Sequence, residues 1–173
     1  MTARYDEPIP LGPDHRLGAF RCRSGEQTAW LRRHARQASA VGTARVFVVP
    51  GTGTSDVVAF YAWTMAGLEI TDAPPRLRKG AGRYPQPVAL LARLGVDDRH
   101  EGRGLGAALL QDVILRTLAI GEGIGCRGLL VHCETIEALS FYQHLIPEFG
   151  QSPTDDLHLV LRMKDIVRTM GTV

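Results

Sequence analysis

The most constraining feature of this sequence is a cluster of three glycines, Gly102, Gly104 and Gly106, between a predicted strand and a predicted helix. Val88–Val96 is apolar enough for a buried strand, and Gly104–Ile120 carries apolar residues at helical spacing. Glycines let the backbone turn tightly and approach a ligand closely. The free N–H groups and the dipole of a helix start favour an anion. The turn therefore predicts a phosphate cradle made of backbone.

Three kinds of phosphate-binding turn compete for this segment, and a plain strand-to-helix connection is a fourth interpretation. A Walker loop requires Lys-Ser/Thr after its last glycine, and none follows here. A dinucleotide-binding turn has the spacing GxGxxG early in a βαβ unit, whereas these glycines are GxGxG and lie late in the chain. A turn for the pyrophosphate of coenzyme A fits the spacing. The glycines alone do not separate it from the plain connection.

The order of the predicted elements places the chain in the α/β class. A helix over Glu26–Ala40 precedes a hairpin, and a loop rich in Pro, Gly and Arg over Pro74–Pro87 precedes the strand that leads to the turn. We expect one domain over residues 1–173, with a mixed sheet of about six strands flanked by helices. The other predicted elements are a short strand over 7–11, hairpin strands over Ala44–Val49 and Val57–Ile70, strands over Gly128–Cys133 and His158–Met163, helices over Thr135–Leu145 and Asp165–Met170, and a helix stop at Gly121–Gly123.

The composition excludes several classes of protein. Hydrophobic residues make up 45% and charged residues 22%, which is ordinary for a soluble globular protein. No apolar run has the length of a membrane span, and the first residues lack a signal-peptide core, so we expect a cytoplasmic protein. Cys22, Cys126 and Cys133 form no CxxC pair, which argues against a disulfide framework. No second Cys/His pair accompanies His132 and Cys133 at zinc spacing, so we expect no metal.

Basic residues are concentrated in two segments. Arg32, Arg33 and Arg36 lie on the face of the first predicted helix opposite its apolar stripe, and Arg78, Lys79 and Arg83 lie in the predicted loop before the strand over Val88–Val96. Such clusters form either a solvated face or a site for a polyanion.

The residues around the turn resemble the GNAT acetyltransferase family, whose pattern is a strand ending in Leu-x-Val, a linker, and then Q/R-x-x-G-x-G/A opening a helix. Leu94, Val96, Gly104 and Gly106 match that pattern. The resemblance implies a GNAT fold, acetyl-CoA as cofactor, and pairing of Leu94, Gly95 and Val96 with the pantetheine arm like an added strand. It also implies pyrophosphate contacts from the backbone N–H groups of Gly102, Arg103, Gly104, Leu105 and Gly106.

Glu101 occupies the position where the family has Gln or Arg. A carboxylate beside a pyrophosphate is repulsive, although backbone contacts survive any side chain. We expect Glu101 to border the cofactor site and to turn outward to Arg99 or Arg103. Glu101→Gln is then expected to tighten acetyl-CoA binding.

A second motif, Ala138-Leu139-Ser140-Phe141-Tyr142, resembles the A-x-x-F-Y segment of the family. There the tyrosine is a frequent general acid, since amine attack on a thioester expels a thiolate that needs a proton. The resemblance makes Tyr142 the candidate catalytic residue and places Phe141 at the cofactor. Packing of both rings against the sheet is the alternative.

Further segments are similar to the tRNA-acetylating GNAT toxins of toxin–antitoxin pairs. They are Pro10–Leu17, Phe20–Cys22, Trp30–Gln37, Gly42–Val49, Leu91–Leu94 and Leu159–Asp165. The similarity implies acetylation of the α-amine of an aminoacyl-tRNA, a block of translation, a homodimer, and an antitoxin with a ribbon-helix-helix domain. It also favours tRNA binding by the two basic clusters.

The sequence departs from the toxin pattern at Arg21-Cys22-Arg23 and at Leu145–Gly150, which leaves the acceptor open. One alternative is acetylation of a small amine or a protein N-terminus. The other is a weakly active GNAT fold that serves as a binding subunit, which Glu101 favours.

Overall fold

A computed structural model describes residues 4–170, which divide into two compact units. The first unit comprises residues 4–64 and 92–112, and the second comprises residues 65–91 and 113–170. The strands are β1 (Ile9–Pro10), β2 (Arg45–Pro50), β3 (Val57–Leu68), β4 (Gln86–Val96), β5 (Gly128–His132), β6 (Gly150–Gln151) and β7 (His158–Arg162). The helices are α1 (Gly25–Arg33), α2 (Ala35–Val41), α3 (Pro75–Arg78), α4 (Leu105–Gly123), α5 (Ile136–Leu145) and α6 (Met163–Met170), with short 3-10 turns at Ile70–Asp72 and Asp98–His100.

The strands form one sheet in the order β1-β2-β3-β4-β5-β7-β6. β4 and β5 are parallel, whereas the β1–β2, β2–β3, β5–β7 and β6–β7 pairs are antiparallel. The sheet is therefore mixed, as predicted. Its seventh strand, β6, is only two residues long and has no alternating pattern that would reveal it in the sequence.

In the first unit, the β2–β3 hairpin packs its apolar side chains against α1. Leu31 and Phe60 are completely buried, and the ring of Trp30 stacks on Phe60 with centroids 6.1 Å apart. Ser24 caps α1 by accepting a hydrogen bond from the N–H of Gln27, at 3.0 Å. The prediction of one helix over 26–40 is wrong in one respect. The helix is interrupted at His34, which caps the end of α1 and the start of α2.

In the second unit, β5 pairs with residues 89–91 of β4 on one side and with β7 on the other. Leu77, Val88, Leu130 and Val160 form the core between this part of the sheet and α3. The segment predicted as a loop over 74–87 therefore contains a helical turn, anchored by the buried Leu77.

Helix α4 ends at Gly123, within the predicted stop at Gly121–Gly123, and so extends three residues beyond the predicted last residue, Ile120. A glycine here avoids a clash, since a Cβ on Gly121 would lie 2.6 Å from the Met163 side chain. Among residues 4–170, no helix has both the length and the apolar character needed to cross a membrane.

Candidate active site

The turn between β4 and α4 has the conformation that its glycines predict. Gly102 and Gly104 have φ values of +71° and +82°, which residues with a Cβ rarely adopt. A Cβ at either position would meet nothing within 4 Å, so these glycines are required by the backbone and not by packing. The N–H of Ala108 donates to the carbonyl of Gly104 at 3.0 Å, which marks the first turn of α4. The first N–H groups of a helix generally have no acceptor within the helix. This geometry can receive a phosphate at the positive end of α4.

Asp97, the first residue after β4, holds the start of this turn in place. Its completely buried carboxylate accepts from the backbone N–H groups of Arg21 and Arg99 and, at 2.9 Å, from the Arg99 guanidinium. Burial by itself raises the pKa of Asp97, but the hydrogen bonds from Arg99 and Arg21 outweigh it and lower the pKa to about 2. A single Asp after a strand has no distinctive pattern, so the sequence did not mark it as a positioning residue.

Glu101 does not turn to Arg99 or Arg103, and that prediction is wrong. Its carboxylate accepts two hydrogen bonds from Arg23, at 2.9 and 3.1 Å. Arg99 is held by Asp97, and Arg103 donates to the Tyr5 hydroxyl at 3.1 Å. Because Glu101 lies beside Arg23, the pKa of the Arg23 guanidinium is raised, and the negative charge of Glu101 is partly balanced. The sequence contained one signal for this pair, the unusual Arg21-Cys22-Arg23 segment.

Tyr5 links the N-terminal segment to the same turn. Its hydroxyl lies 2.7 Å from Nδ1 of His100, and the two rings meet edge to face. Partial burial, and then the charge of Arg103, lower the pKa of His100. The exposed side chain of Arg103 therefore contacts the N-terminal segment through one of its N–H groups.

The end of β4 places Leu94 and Val96 on one face and Gly95 on the other. A Cβ on Gly95 would come within 2.9 Å of the Phe60 ring, so only glycine fits at this position without movement of the core. Leu94 and Val96 are half-buried. On the face of Gly95, the preceding Arg93 lies over the Trp30 ring, 5.4 Å from its centroid, and pairs with Glu26.

The second unit contains the candidate catalytic tyrosine. Tyr142 is buried on α5, whose first turn is capped by Thr135, and it lies edge to face against Phe141 and Phe149. Burial, and then the nearby Cys133 thiol, raise the pKa of Tyr142 well above its ordinary value, so the phenol keeps its proton. Phe141 is more than a third exposed, which leaves its ring accessible.

The basic clusters are less uniform than the sequence indicates. Arg32 and Arg33 lie on α1 but Arg36 lies on α2, so they do not share one helix face. Arg32 donates to the carbonyl of Phe20, and Arg36 donates to the carbonyls of Gly12 and His15. In the second unit, Arg78 donates to the backbone carbonyls of Ala73 and Thr71. Lys79 and Arg83 are exposed and have no hydrogen bond or ion pair within residues 4–170.

Comparison with known proteins decides the family. The sequence model of the acetyltransferase (GNAT) family matches residues 5–145 of this chain. The chain belongs to the GNAT family. This confirms the predicted fold and makes the chain an acetyltransferase by family.

Two kinds of relative extend the comparison. The chain is 43% identical over 150 residues to a tRNA-acetylating toxin of Mycobacterium tuberculosis (strain ATCC 25618 / H37Rv), covering 86% of this chain and 87% of the relative. Its fold is similar to that of AtaT complexed with acetyl-methionyl-tRNAfMet, with a TM-score of 0.86, 20% identity and coverage of 94% and 98%. It is also similar to a Tyr-to-Phe mutant of AtaT bound to the C-terminus of the antitoxin AtaR and acetyl-CoA, with a TM-score of 0.80, 19% identity and coverage of 95% and 97%.

Proposed function

We propose that this GNAT acetyltransferase transfers the acetyl group of acetyl-CoA to the α-amine of an aminoacyl-tRNA, and that it acts as a toxin by blocking translation. The observation that carries the proposal is the 43% identity, over 86% of the chain, to a tRNA-acetylating toxin. Acetylation removes the nucleophilic amine that forms the next peptide bond, so the acylated tRNA can no longer accept a growing chain.

The turn before α4 is proposed to hold the pyrophosphate of acetyl-CoA through the N–H groups of residues 102–106. The positive φ values of Gly102 and Gly104 support this assignment, because they let the backbone follow the phosphates closely. The pairing of Glu101 with Arg23 supports it further, since a balanced carboxylate repels the pyrophosphate less. Leu94, Gly95 and Val96 are proposed to pair with the pantetheine arm.

Tyr142 is proposed as the general acid, with the exposed ring of Phe141 at the cofactor. The amine nitrogen attacks the thioester carbonyl, the C–S bond breaks, and the leaving thiolate takes the phenolic proton. The nitrogen loses one proton to solvent as the amide forms, and solvent returns a proton to the phenolate, so Tyr142 ends each turnover unchanged. The phenol of Tyr142 is protonated before each turnover, as this role requires, although burial raises its pKa and makes it a weaker acid than an exposed tyrosine. The electron-withdrawing ester lowers the pKa of the aminoacyl amine below the ordinary value near 8, so much of it is neutral without a dedicated base.

The partners of the toxin class are part of the proposal. We propose a cytoplasmic homodimer that is neutralised by an antitoxin with a ribbon-helix-helix domain, and the AtaT complex with the antitoxin AtaR supports the existence of such a partner. We propose that the two basic clusters contact tRNA phosphates. Within residues 4–170, their exposed side chains without a backbone acceptor are Arg33, Lys79 and Arg83. The other three, Arg32, Arg36 and Arg78, also donate hydrogen bonds to backbone carbonyls.

A purified reaction with labelled acetyl-CoA and charged tRNA tests the function. We expect label on aminoacyl-tRNA and none on uncharged tRNA, and we expect Tyr142→Phe to abolish most of the transfer. Transfer only to small amines or protein N-termini would replace the proposal with the alternative substrate class. No transfer to any amine would make the chain a binding subunit.

A further inference from the structure

A cavity of about 570 Å³ in the second unit is lined mostly by basic residues. This volume lies within the range of ordinary ligand sites, and all of the lining comes from α3 and the loop after it, the segment before β5, and the junction of β7 with α6. We call it the basic cavity. Its five cationic side chains are Arg76, Lys79, Arg127, Arg162 and Lys164, and no carboxylate from residues 4–170 lines it.

The charge of the basic cavity is only partly balanced. The buried Asp165 accepts two hydrogen bonds from Arg162, at 2.8 and 3.0 Å, and lies 3.8 Å from Arg76. Within residues 4–170, Lys79 and Lys164 have no acidic partner, and Arg127 donates to the neutral amide oxygen of Gln86 at 2.6 Å. Three positive charges that face one cavity repel each other, and a bound anion relieves that repulsion.

The chemistry of the lining favours phosphate groups. Arg127 offers a planar fork for two oxygens, and Lys79 and Lys164 offer mobile point charges. The half-buried Met163 adds apolar surface on which a ribose or a base can pack. An acidic peptide has no main-chain partner nearby, because β5 is paired on both sides and presents no free edge.

The position of the basic cavity along β5 indicates which phosphates it would hold. Arg127 precedes β5 and Cys133 follows it, and six extended residues span about 20 Å. Cys133 lies beside Tyr142, the proposed general acid. A phosphate in the basic cavity is therefore about 20 Å from an amine at Tyr142, a distance that several nucleotides of an RNA strand span.

We propose that the basic cavity binds backbone phosphates of the acceptor arm of the aminoacyl-tRNA, several nucleotides from the acylated end. The inference rests on the proposed function, whose substrate it anchors at a second point. The charges of Lys79, Arg127 and Lys164 then provide affinity and register, while the chemistry takes place at the other end of β5.

Cys126 provides a direct test, because it lines the basic cavity and is partly exposed, whereas Cys22 and Cys133 are buried. The full-length native protein is treated with a maleimide, alone or with saturating aminoacyl-tRNA, acetyl-CoA, inorganic phosphate or polyglutamate. We expect tRNA to slow labelling of Cys126 at least fivefold. Equal labelling with and without tRNA would overturn the inference, and so would protection by polyglutamate but not by tRNA. Protection by phosphate at tRNA-like concentrations would also overturn it, because a small-anion site needs no tRNA.

Two variants that each remove one positive charge from the basic cavity supply a quantitative readout. Each phosphate contact adds about 0.7–0.9 to the slope of log binding constant against log salt concentration. Lys79→Gln and Lys164→Gln should therefore each weaken tRNA binding about five- to eightfold at 0.1 M salt, and each should reduce that slope by about 0.7–0.9. Arg45→Gln, an exposed cation in the first unit, removes the same charge and should change the affinity less than twofold.

The two proposals fail in different ways. If the native protein acetylates aminoacyl-tRNA but both lysine variants bind it like Arg45→Gln, the basic cavity is not a tRNA site and the proposed function stands. If the native protein acetylates no aminoacyl-tRNA, the proposed function itself is wrong.

Discussion

The buried carboxylate of Asp97 organises the start of the cofactor turn, and Asp97→Asn measures how much that carboxylate contributes. The substitution keeps the size of the side chain but removes the charge that Arg99 and two backbone N–H groups bind. The pKa of Asp97 is lowered from 3.8 to about 2, a difference that corresponds to about 2 kcal/mol of stabilisation. We expect Asp97→Asn to lower the free energy of unfolding at pH 7 by about that amount.

The pH dependence separates this charge effect from a simple packing defect. Because folding lowers the pKa of Asp97, its contribution is complete above about pH 4 and is lost as the pH falls from about 4 to about 2. Urea unfolding of the native protein and the variant should therefore differ by about 2 kcal/mol at pH 7 and by about half of that at pH 3.

The neighbouring exposed carboxylate provides a matched control. Asp98 lies 3.7 Å from Arg21 at the surface, so Asp98→Asn should cost less than about 0.5 kcal/mol at either pH. A difference between native protein and Asp97→Asn that is equal at pH 7 and pH 3 would refute the electrostatic account.

Three more predictions concern the proposed site. Gly104→Ala should lower the free energy of unfolding by about 1 kcal/mol and weaken acetyl-CoA binding by calorimetry, whereas Gly25→Ala, also in open space but without a positive φ, should do neither. Glu101→Gln should tighten acetyl-CoA binding about two- to fivefold and Arg23→Gln should weaken it, since a bare carboxylate repels the pyrophosphate; unchanged affinities would contradict this. Tyr142→Phe should lower kcat by about 10²–10⁴ with the acetyl-CoA Kd unchanged, and a parallel loss of binding would indicate a packing role.

The main architecture follows from local sequence patterns. The Gly102–Gly106 turn, the hairpin and the buried strands all have strong periodicity or turn chemistry, and the structure contains each of them. The elements that were missed, α3 and β6, are too short for any periodicity to be visible. The break at His34 was missed because the apolar stripe continues through it from α1 into α2.

The site could be predicted only where backbone conformation or a motif determines it. Gly102 and Gly104 are visible in the sequence because their positive φ requires glycine, and Tyr142 is visible through the family motif. The Arg23–Glu101 pair joins positions 78 residues apart, and the basic cavity is built from three separate segments. Such groups are brought together by tertiary folding, which no local pattern encodes.

The central claim is transfer of an acetyl group to the α-amine of an aminoacyl-tRNA, and mass spectrometry of the reaction product tests it most directly. Charged tRNA is incubated with the full-length protein and acetyl-CoA and then digested to its terminal aminoacyl-adenosine. We predict that this fragment carries one acetyl group on the α-amine, and that the Tyr142→Phe reaction leaves it almost entirely unmodified. An unmodified fragment under conditions in which the native protein acetylates other amines would contradict the account.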